Sequence, residues 1–413
     1  MKKQILLMTF CLSMAGAVMA QFTLSGEFRP RAEYSHGYGT LADTDQDPSF
    51  FTSQRTRLNL FYSGERITTK LVLQDVRTWG NQKQLVGNED FATSIHEAWA
   101  EAKIAEGFSL QLGRQELAYD NHRIFGNVGW AQQARSHDLM LAKYQGAFKI
   151  HFGLAYHQSG NRTNNIYTGP DAYKSMQFLW FNKAFEKLSI SFLALNNGVP
   201  YTVSGVGAVI TEQGIRYSQT IGTYAKYKLE KLTLGGNIYY QGGTDPSGLK
   251  LSAYEILLES TYAISSNTKM GLSFEILSGT DPSETTVNHS FTPLYGTNHK
   301  FNGHMDYFFV GNHANSVGLQ DITASFTHKI KSISLNAHIH AFLSDASLAG
   351  GNYLGTEADL FVVYPLADQI KIQVGYSQMF AGDGMLDIKG GSLDEIQNWA
   401  YLMFGFTPKF IKN

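Results

Sequence analysis

Charged residues are scarce in this sequence: Asp, Glu, Lys and Arg make up 16% of its 413 residues, against about 25% in an ordinary soluble domain. Most of the chain therefore does not build the charged, water-covered surface of such a domain. Neither sign prevails, with 33 Lys and Arg against 35 Asp and Glu. Without a basic excess there is little to hold the phosphates of a nucleic acid, and no acidic tail is present. Cysteine occurs once, at Cys11, and proline nine times. Long apolar runs are missing too. Beyond residue 20 none approaches the stretch of about 18 residues that a spanning helix needs, which excludes an α-helical membrane protein. No G-x-S-x-G, P-loop or H-E-x-x-H pattern occurs, so an enzyme reading lacks both a nucleophile and a metal anchor.

What the chain has instead is aromatic residues (27 Phe, 22 Tyr, 5 Trp) and 40 Gly, a mixture that suits many β-strands joined by flexible turns. Residues 1–20 read as a secretory signal peptide. Lys2 and Lys3 supply the positive start, residues 5–18 the apolar stretch, and Val18-Met19-Ala20 a small-residue cleavage site before Gln21. Cleavage removes Cys11, so the exported part, residues 21–413, has no disulfide or thiol chemistry. It also removes Lys2 and Lys3, leaving 31 basic against 35 acidic residues and a formal charge of −4.

The exported part alternates with a period of two. From residue 23 to 34, Leu24, Gly26, Phe28, Pro30, Ala32 and Tyr34 share one face, and Thr23, Ser25, Glu27, Arg29, Arg31 and Glu33 the other. Arg55, Arg57 and Asn59 alternate with Thr56, Leu58, Leu60 and Tyr62, and Met270, Leu272, Phe274 and Ile276 with Lys269, Gly271, Ser273 and Glu275. Such strands lie between an apolar and a watery environment. The alternation is less regular in residues 67–77 and 95–103, where a bulge would shift the register.

Connection lengths sort into two sets. Eight short links, at 63–66, 105–107, 145–147, 182–187, 229–231, 263–267, 329–331 and 365–369, alternate with nine long ones, of which 278–318 is the longest. Seventeen connections imply 18 strands with both termini on the short-turn side. Soluble sandwiches have no reason to sort their connections this way, whereas outer-membrane barrels have tight periplasmic turns, long external loops and an even strand number. The expected fold is thus all-β: residues 21–413 form a single transmembrane antiparallel barrel of about 18 strands. Pro30 and Pro408 fall in the first and last strands, where a missing N–H is tolerated at a ladder's end or edge, and the other seven prolines fall in turns or loops.

Arginine is unevenly placed: nine of the 11 arginines lie in the first 135 residues. Arg29 and Arg31 would stand beside Arg55 and Arg57 in the lumen. Permanently charged guanidinium groups there would attract an anionic solute and exclude cations. The alternative is a ladder with Glu27, Glu33, Glu97, Glu101 and Glu116 that stiffens the wall, and both roles are compatible. Asp43, Asp45 and Asp47 match the start of a calcium loop, but Pro48 stands where an EF-hand needs Gly and Gln54 where it needs Glu. Solvated loop acids are the competing reading. His338 and His340 share a strand face, while His299, His304 and His313 lie in the longest loop. Without a fixed ligand spacing these read as pore-lining or loop polar residues rather than a metal site.

Three blocks carry a resemblance. Leu112-Gly113-Arg114-Gln115-Glu116-Leu117-Ala118-Tyr119, followed by Arg123, Gly126-Asn127, Trp130 and Arg135-Ser136-His137-Asp138, resembles the alginate-export family of outer-membrane porins. So do the segments 293–303, continuing to Met305-Asp306-Tyr307-Phe308, and Leu73-Gln74-Asp75-Val76-Arg77. The resemblance implies an 18-stranded monomeric barrel with an electropositive constriction, lined by arginines and balanced by acids, which guides a polyuronate and is covered by loops or turns. Carried over by matching blocks, Arg77, Arg114, Arg123, Arg135 and Asp138 join Arg29, Arg31, Arg55 and Arg57 as expected pore-lining residues. The expected function is passive passage of an anionic polysaccharide or its oligosaccharides across the outer membrane of a Gram-negative bacterium. A general or small-anion diffusion porin is the alternative, as is a barrel whose loop 278–318 binds a surface or periplasmic partner. Outer-membrane lipid and the solute are the expected partners, with no cofactor beyond the loop-calcium reading.

Overall fold

The structure, a computed structural model, describes residues 21–85, 93–158, 173–205 and 210–412. The expected signal peptide, residues 1–20, lies outside the described residues. Alternating sequence becomes strand in order: β1 (Gln21–His36), β2 (Ser49–Ser63), β3 (Ile67–Thr78), β4 (Thr93–Ala105), β5 (Phe108–Gln115), β6 (His137–Gln145), β7 (Lys149–Tyr156), β8 (Ser175–Ala184), β9 (Leu188–Ser204) and β10 (Ile210–Lys228). The series continues with β11 (Leu232–Thr244), β12 (Lys250–Ala263), β13 (Thr268–Leu277), the two-residue β14 (Val287–Asn288), β15 (Leu319–Ile330), β16 (Ile333–Leu343), β17 (Tyr353–Ala367), β18 (Ile370–Ala381), β19 (Gln397–Phe406) and β20 (Lys409–Lys412). Two short helices, α1 (Val310–His313) and α2 (Asp383–Lys389), lie in loops, and no described helix is long and apolar enough to cross a membrane.

Each long strand pairs antiparallel with the next, β13 pairs directly with β15, and β1 pairs with β2 on one side and with β19 and β20 on the other. The sheet therefore closes into a barrel of 18 spanning strands, all except β14 and β20. Closure leaves no free sheet edge, so the spanning strands pair their backbone groups with one another, as hydrocarbon requires. All eight expected short turns lie at the end that carries the termini.

Pro408 sits in the break between β19 and β20, and its carbonyl accepts from Gly26 N at 2.8 Å. Pro200 and Pro365, expected in connections, lie inside strands. β9 and β10 extend into what reads as a loop, and the ladder slips beside Pro365, where an N–H is missing. The expected bulge is present: Val72 opposes Glu97 and Leu73 opposes Ile95, so His96 is the extra residue. His96 and Glu97 are consequently both buried on the lumen side, while Ile95 is exposed.

The outer face carries Leu58, Leu112, Ile221, Leu258, Leu272, Ile339 and Leu360 at mid-height. Aromatic girdles flank this belt. Tyr62, Phe148, Tyr227 and Tyr262 lie toward the short turns, and Tyr156, Tyr240, Tyr254 and Phe380 toward the loops. The lumen side departs from simple polar alternation. β6, β8 and β9 turn Leu139, Leu141, Met176, Phe178, Trp180, Leu193 and Leu195 inward, all buried. The reason is that loops 116–136 and 278–318 fold into the barrel and bring Phe125, Tyr295, Met305 and Tyr307 against this surface.

Candidate functional site

The two inward loops meet at the centre of the lumen. Phe125 and Tyr295 form a parallel bridge, Gly126 N donates to Tyr295 O at 2.9 Å, Tyr295 N to Ile124 O at 3.1 Å, and Thr297 N to His122 O at 2.9 Å. A Cβ added at Gly296 would lie 2.2 Å from the carbonyl oxygen of Arg123. Only glycine lets the two backbones approach this closely.

One wall of the lumen is basic. Arg29, Arg31, Arg55 and Arg57 of β1 and β2 face inward against only two acids on those strands, Glu27 and Glu33. Arg55 pairs with Glu27 at 2.6 Å and Arg31 with Glu33 at 2.8 Å. The same guanidinium groups also grip a loop backbone. Arg29 donates to the carbonyls of Gly129 (2.7 Å), Trp130 (3.0 Å) and Ala131 (3.2 Å) and to Gln132 Oε1 (2.9 Å). Arg31 donates to Trp130 O at 3.0 Å and lies over its ring, 4.3 Å from the centroid. Arg55 adds longer bonds to the Gly129 and Ala131 carbonyls. Arg57 donates to Gln74 Oε1 at 2.7 Å and, among the described residues, leaves a buried Nη2 without a partner. The expected ladder is present in part: Glu27, Glu33 and Glu116 pair with arginines, whereas Glu97 pairs with Lys70 and Glu101 with Lys143, and the arginines have a further role that the sequence did not reveal.

The stretch of wall from β12 to β17 is acidic. Glu255, Glu275, Asp321, Glu357 and Asp359 on β12, β13, β15 and β17 are all buried and face inward at similar depth. They receive donors from the loops. Arg123 contacts Glu275 at 2.8 Å, Asn302 Nδ2 donates to Glu275 at 2.7 Å and to Asp321 at 3.2 Å, and Met305 N donates to Glu357 at 2.9 Å. The basic wall therefore holds loop carbonyls and the acidic wall holds loop N–H groups.

The structure brings Arg29, Arg31, Arg55, Arg57, Arg123 and Arg135 into the lumen. Arg135 donates to Gly296 O at 3.0 Å, and burial lowers its pKa. Arg114 and Asp138 are elsewhere, which corrects their expected place in the pore, whereas Arg77 lies at the edge of a cavity that Arg31 and Trp130 also line. Arg77 is opposite Gln54 and pairs with Asp75 at 2.7 Å. Arg114 pairs at 3.0 Å with Asp138, and both side chains are exposed on the outer face. Each of these two sits one residue off the lumen parity, and a shift of one residue turns a side chain to the other face of the sheet. Asp43, Asp45 and Asp47 are exposed in the β1–β2 loop. Among the described residues the His and carboxylate groups that converge to ligand distance are His304, His338 and Asp359, and His96, Glu97 and Glu116.

Two cavities border the basic wall. One of about 440 Å³ on the loop side is lined by Arg31, Glu33, Tyr38, Trp130, Gln132 and Asp306. The other, about 710 Å³ on the short-turn side, is lined by Glu27, Arg29, Asp368, Lys371 and Met403. The segment from Gly129 to Gln132 lies against the arginines that border both.

The sequence model of the alginate export family matches residues 20–397. The chain belongs to the alginate export family. Among solved structures it resembles OccAB4 of Acinetobacter baumannii, with a TM-score of 0.63, 13% identity, and 94% of this chain and 99% of that chain covered. OpdL of Pseudomonas aeruginosa gives 0.62, 13%, 94% and 99%. OpdK of the same organism, solved with vanillate, gives 0.59, 9%, 94% and 99%. At these identities the likeness shows the fold. No curated protein matches the chain. This alginate export barrel is a porin-type outer-membrane channel and not an enzyme.

The acidic wall escaped sequence reasoning, although an acid on the lumen parity of neighbouring strands is a readable signal. Trp130 and Gln132 were not readable, because a loop's docking position is not encoded in strand periodicity.

Proposed function

We propose that this alginate export barrel passes an anionic glycan or its oligosaccharides along the basic wall of β1 and β2. The observation that carries the reading is the excess of four inward arginines over two glutamates on those strands, in contact with cavities on both sides of the 129–132 segment. The partnerless Nη2 of Arg57 offers a donor to a carboxylate. The segment acts as a gate: it is held by the same arginines that a polyanion would contact, so an anionic solute competes with the carbonyls for the guanidinium groups. Planar-bilayer recording tests this. Anion preference and block by oligouronates are expected, and cation preference without block overturns the reading.

A second reading, a channel for small carboxylates, is favoured by the packing of Phe125, Tyr295 and Met305 at the centre. An extended polymer needs both loops to move, whereas a small anion needs only the 129–132 segment to lift. Liposome flux distinguishes the two: passage of oligouronates supports the first reading, and passage of monomeric carboxylates alone supports the second.

A further inference from the structure

We propose that His304, His338 and Asp359 form a transition-metal site of the zinc class that latches loop 278–318 to the barrel wall. His338 on β16 is directly opposite Asp359 on β17, so both side chains share the lumen face. His304 arrives from the inward loop, with its Nδ1 3.9 Å from Asp359 Oδ1. One ligand atom from each of the three residues lies within 4.8 Å of the others. Tetrahedral zinc with bonds of about 2.0–2.1 Å places its ligand atoms about 3.3 Å apart. Small side-chain rotations close that difference.

Two further observations point to a ligand. Asp359 is 1% exposed, and among the described residues its Oδ2 meets no donor other than the neighbouring Glu357 carboxyl, a costly state for a buried carboxylate. His340, on the same face, has its Nδ1 3.0 Å from Asp321 Oδ1, while its Nε2 is 3.7 Å from Asp359 Oδ2 and, among the described residues, has no hydrogen bond. A carboxylate on one ring nitrogen, with the other nitrogen left facing the site, is the arrangement that orients metal-ligating histidines. His340 or water fills the fourth position. Two imidazoles in three ligands favour zinc-like ions over calcium and magnesium, which take oxygen. The other cluster, His96, Glu97 and Glu116, is already satisfied by its internal pair at 2.7 Å and by Lys70 and Asn127.

The site also reaches the arginine wall. His304 stacks on His299 (4.8 Å between centroids), His299 on Trp130 (4.2 Å), and Trp130 lies under Arg31. A metal on His304 therefore steadies the loop that the arginines grip. This inference does not depend on which solute the channel passes.

The test uses the full barrel purified without a histidine tag, stripped with chelator and titrated calorimetrically with Zn²⁺ and separately with Ca²⁺. Wild type is expected to bind one Zn²⁺ saturably and Ca²⁺ far more weakly. His304→Ala and Asp359→Asn should each weaken Zn²⁺ binding at least tenfold. His289→Ala, whose ring is engaged by Ser252 O, should leave it unchanged. Co²⁺ should give a tetrahedral absorption band that His304→Ala lacks. Heat-modifiable gel migration reports barrel folding. His304 lies in a loop, so its variant decides the matter even where Asp359→Asn fails to fold. Absence of saturable Zn²⁺ binding in wild type, equal binding by folded His304→Ala, or Ca²⁺ binding as tight as Zn²⁺ overturns the proposal.

Discussion

Arg29 gives the sharpest test of the gate. It holds four acceptors, the carbonyls of Gly129, Trp130 and Ala131 and Gln132 Oε1, at 2.7–3.2 Å. Truncation to Ala removes the donors to all four acceptors. Trp130 and Ala131 border a cavity of about 440 Å³, from which water can replace the lost donor, so each bond contributes about 1 kcal/mol rather than the full penalty of a dry orphan. Arg55 keeps its contacts to Gly129 and Ala131, which leaves about 2–3 kcal/mol of lost docking energy. At 1.4 kcal/mol per factor of ten, the undocked segment rises roughly 30- to 140-fold. Single-channel recording should show a matching rise in open probability. Charge loss and release are separated by Arg29→Lys, which keeps the positive charge but cannot reproduce the planar fork. That variant should gate more openly with anion preference intact. Wild-type gating in both variants would refute the clamp. Lower anion preference in Arg29→Ala without added opening would make the wall a filter only.

Gly296→Ala should force the two inward loops apart, because its Cβ would meet Arg123 O at 2.2 Å. Limited proteolysis should then cut loops 116–136 and 278–318 faster while heat-modifiable migration of the barrel stays unchanged. Arg123→Ala leaves Glu275 buried and unpaired, at a cost of about 3 kcal/mol or more. Adding Glu275→Gln should recover part of that loss in hydrogen-exchange protection of residues 119–127, and no recovery would argue against a coupled pair. Burial holds Lys389 of α2 at a pKa of about 8, against an ordinary 10.5, while its Nζ donates to Asn312 O at 2.7 Å. The undocked lysine thus binds more protons than the docked one between these values, so docking strengthens as pH rises from about 8 toward 10.5. Protection of α2, corrected for intrinsic exchange, should increase over that range and flatten in Lys389→Met. A decrease would contradict the sign.

The strand plan was open to sequence reasoning because the physics is local. A chain with lipid on one face and water on the other must alternate, as it does from Thr23 to Tyr34 and from Lys269 to Ile276. Parity also sent Arg29, Arg31, Arg55 and Arg57 inward. Parity against the inward Leu139 and Leu141 places Asp138 on the outward face, and Arg114 pairs with it there, whereas the irregular alternation over residues 67–77 leaves Arg77 without a face. The apolar lumen faces of β6, β8 and β9 were harder to read. Leu139, Phe178 and Leu195 look like lipid-facing residues until the inward loops that cover them are in place.

Scarce charge, near-balanced signs and the lack of any spanning helix were sufficient to specify a barrel, its 18 strands and its short-turn end, since each follows from period-two patterning and connection length. What the arginines do was decided by tertiary structure. Their partners, the carbonyls of Gly129 to Ala131, lie about 100 residues away along the chain. The meeting of His304 with His338 and Asp359 was decided in the same way, because a loop's path through a lumen depends on the whole closed wall and not on any local repeat.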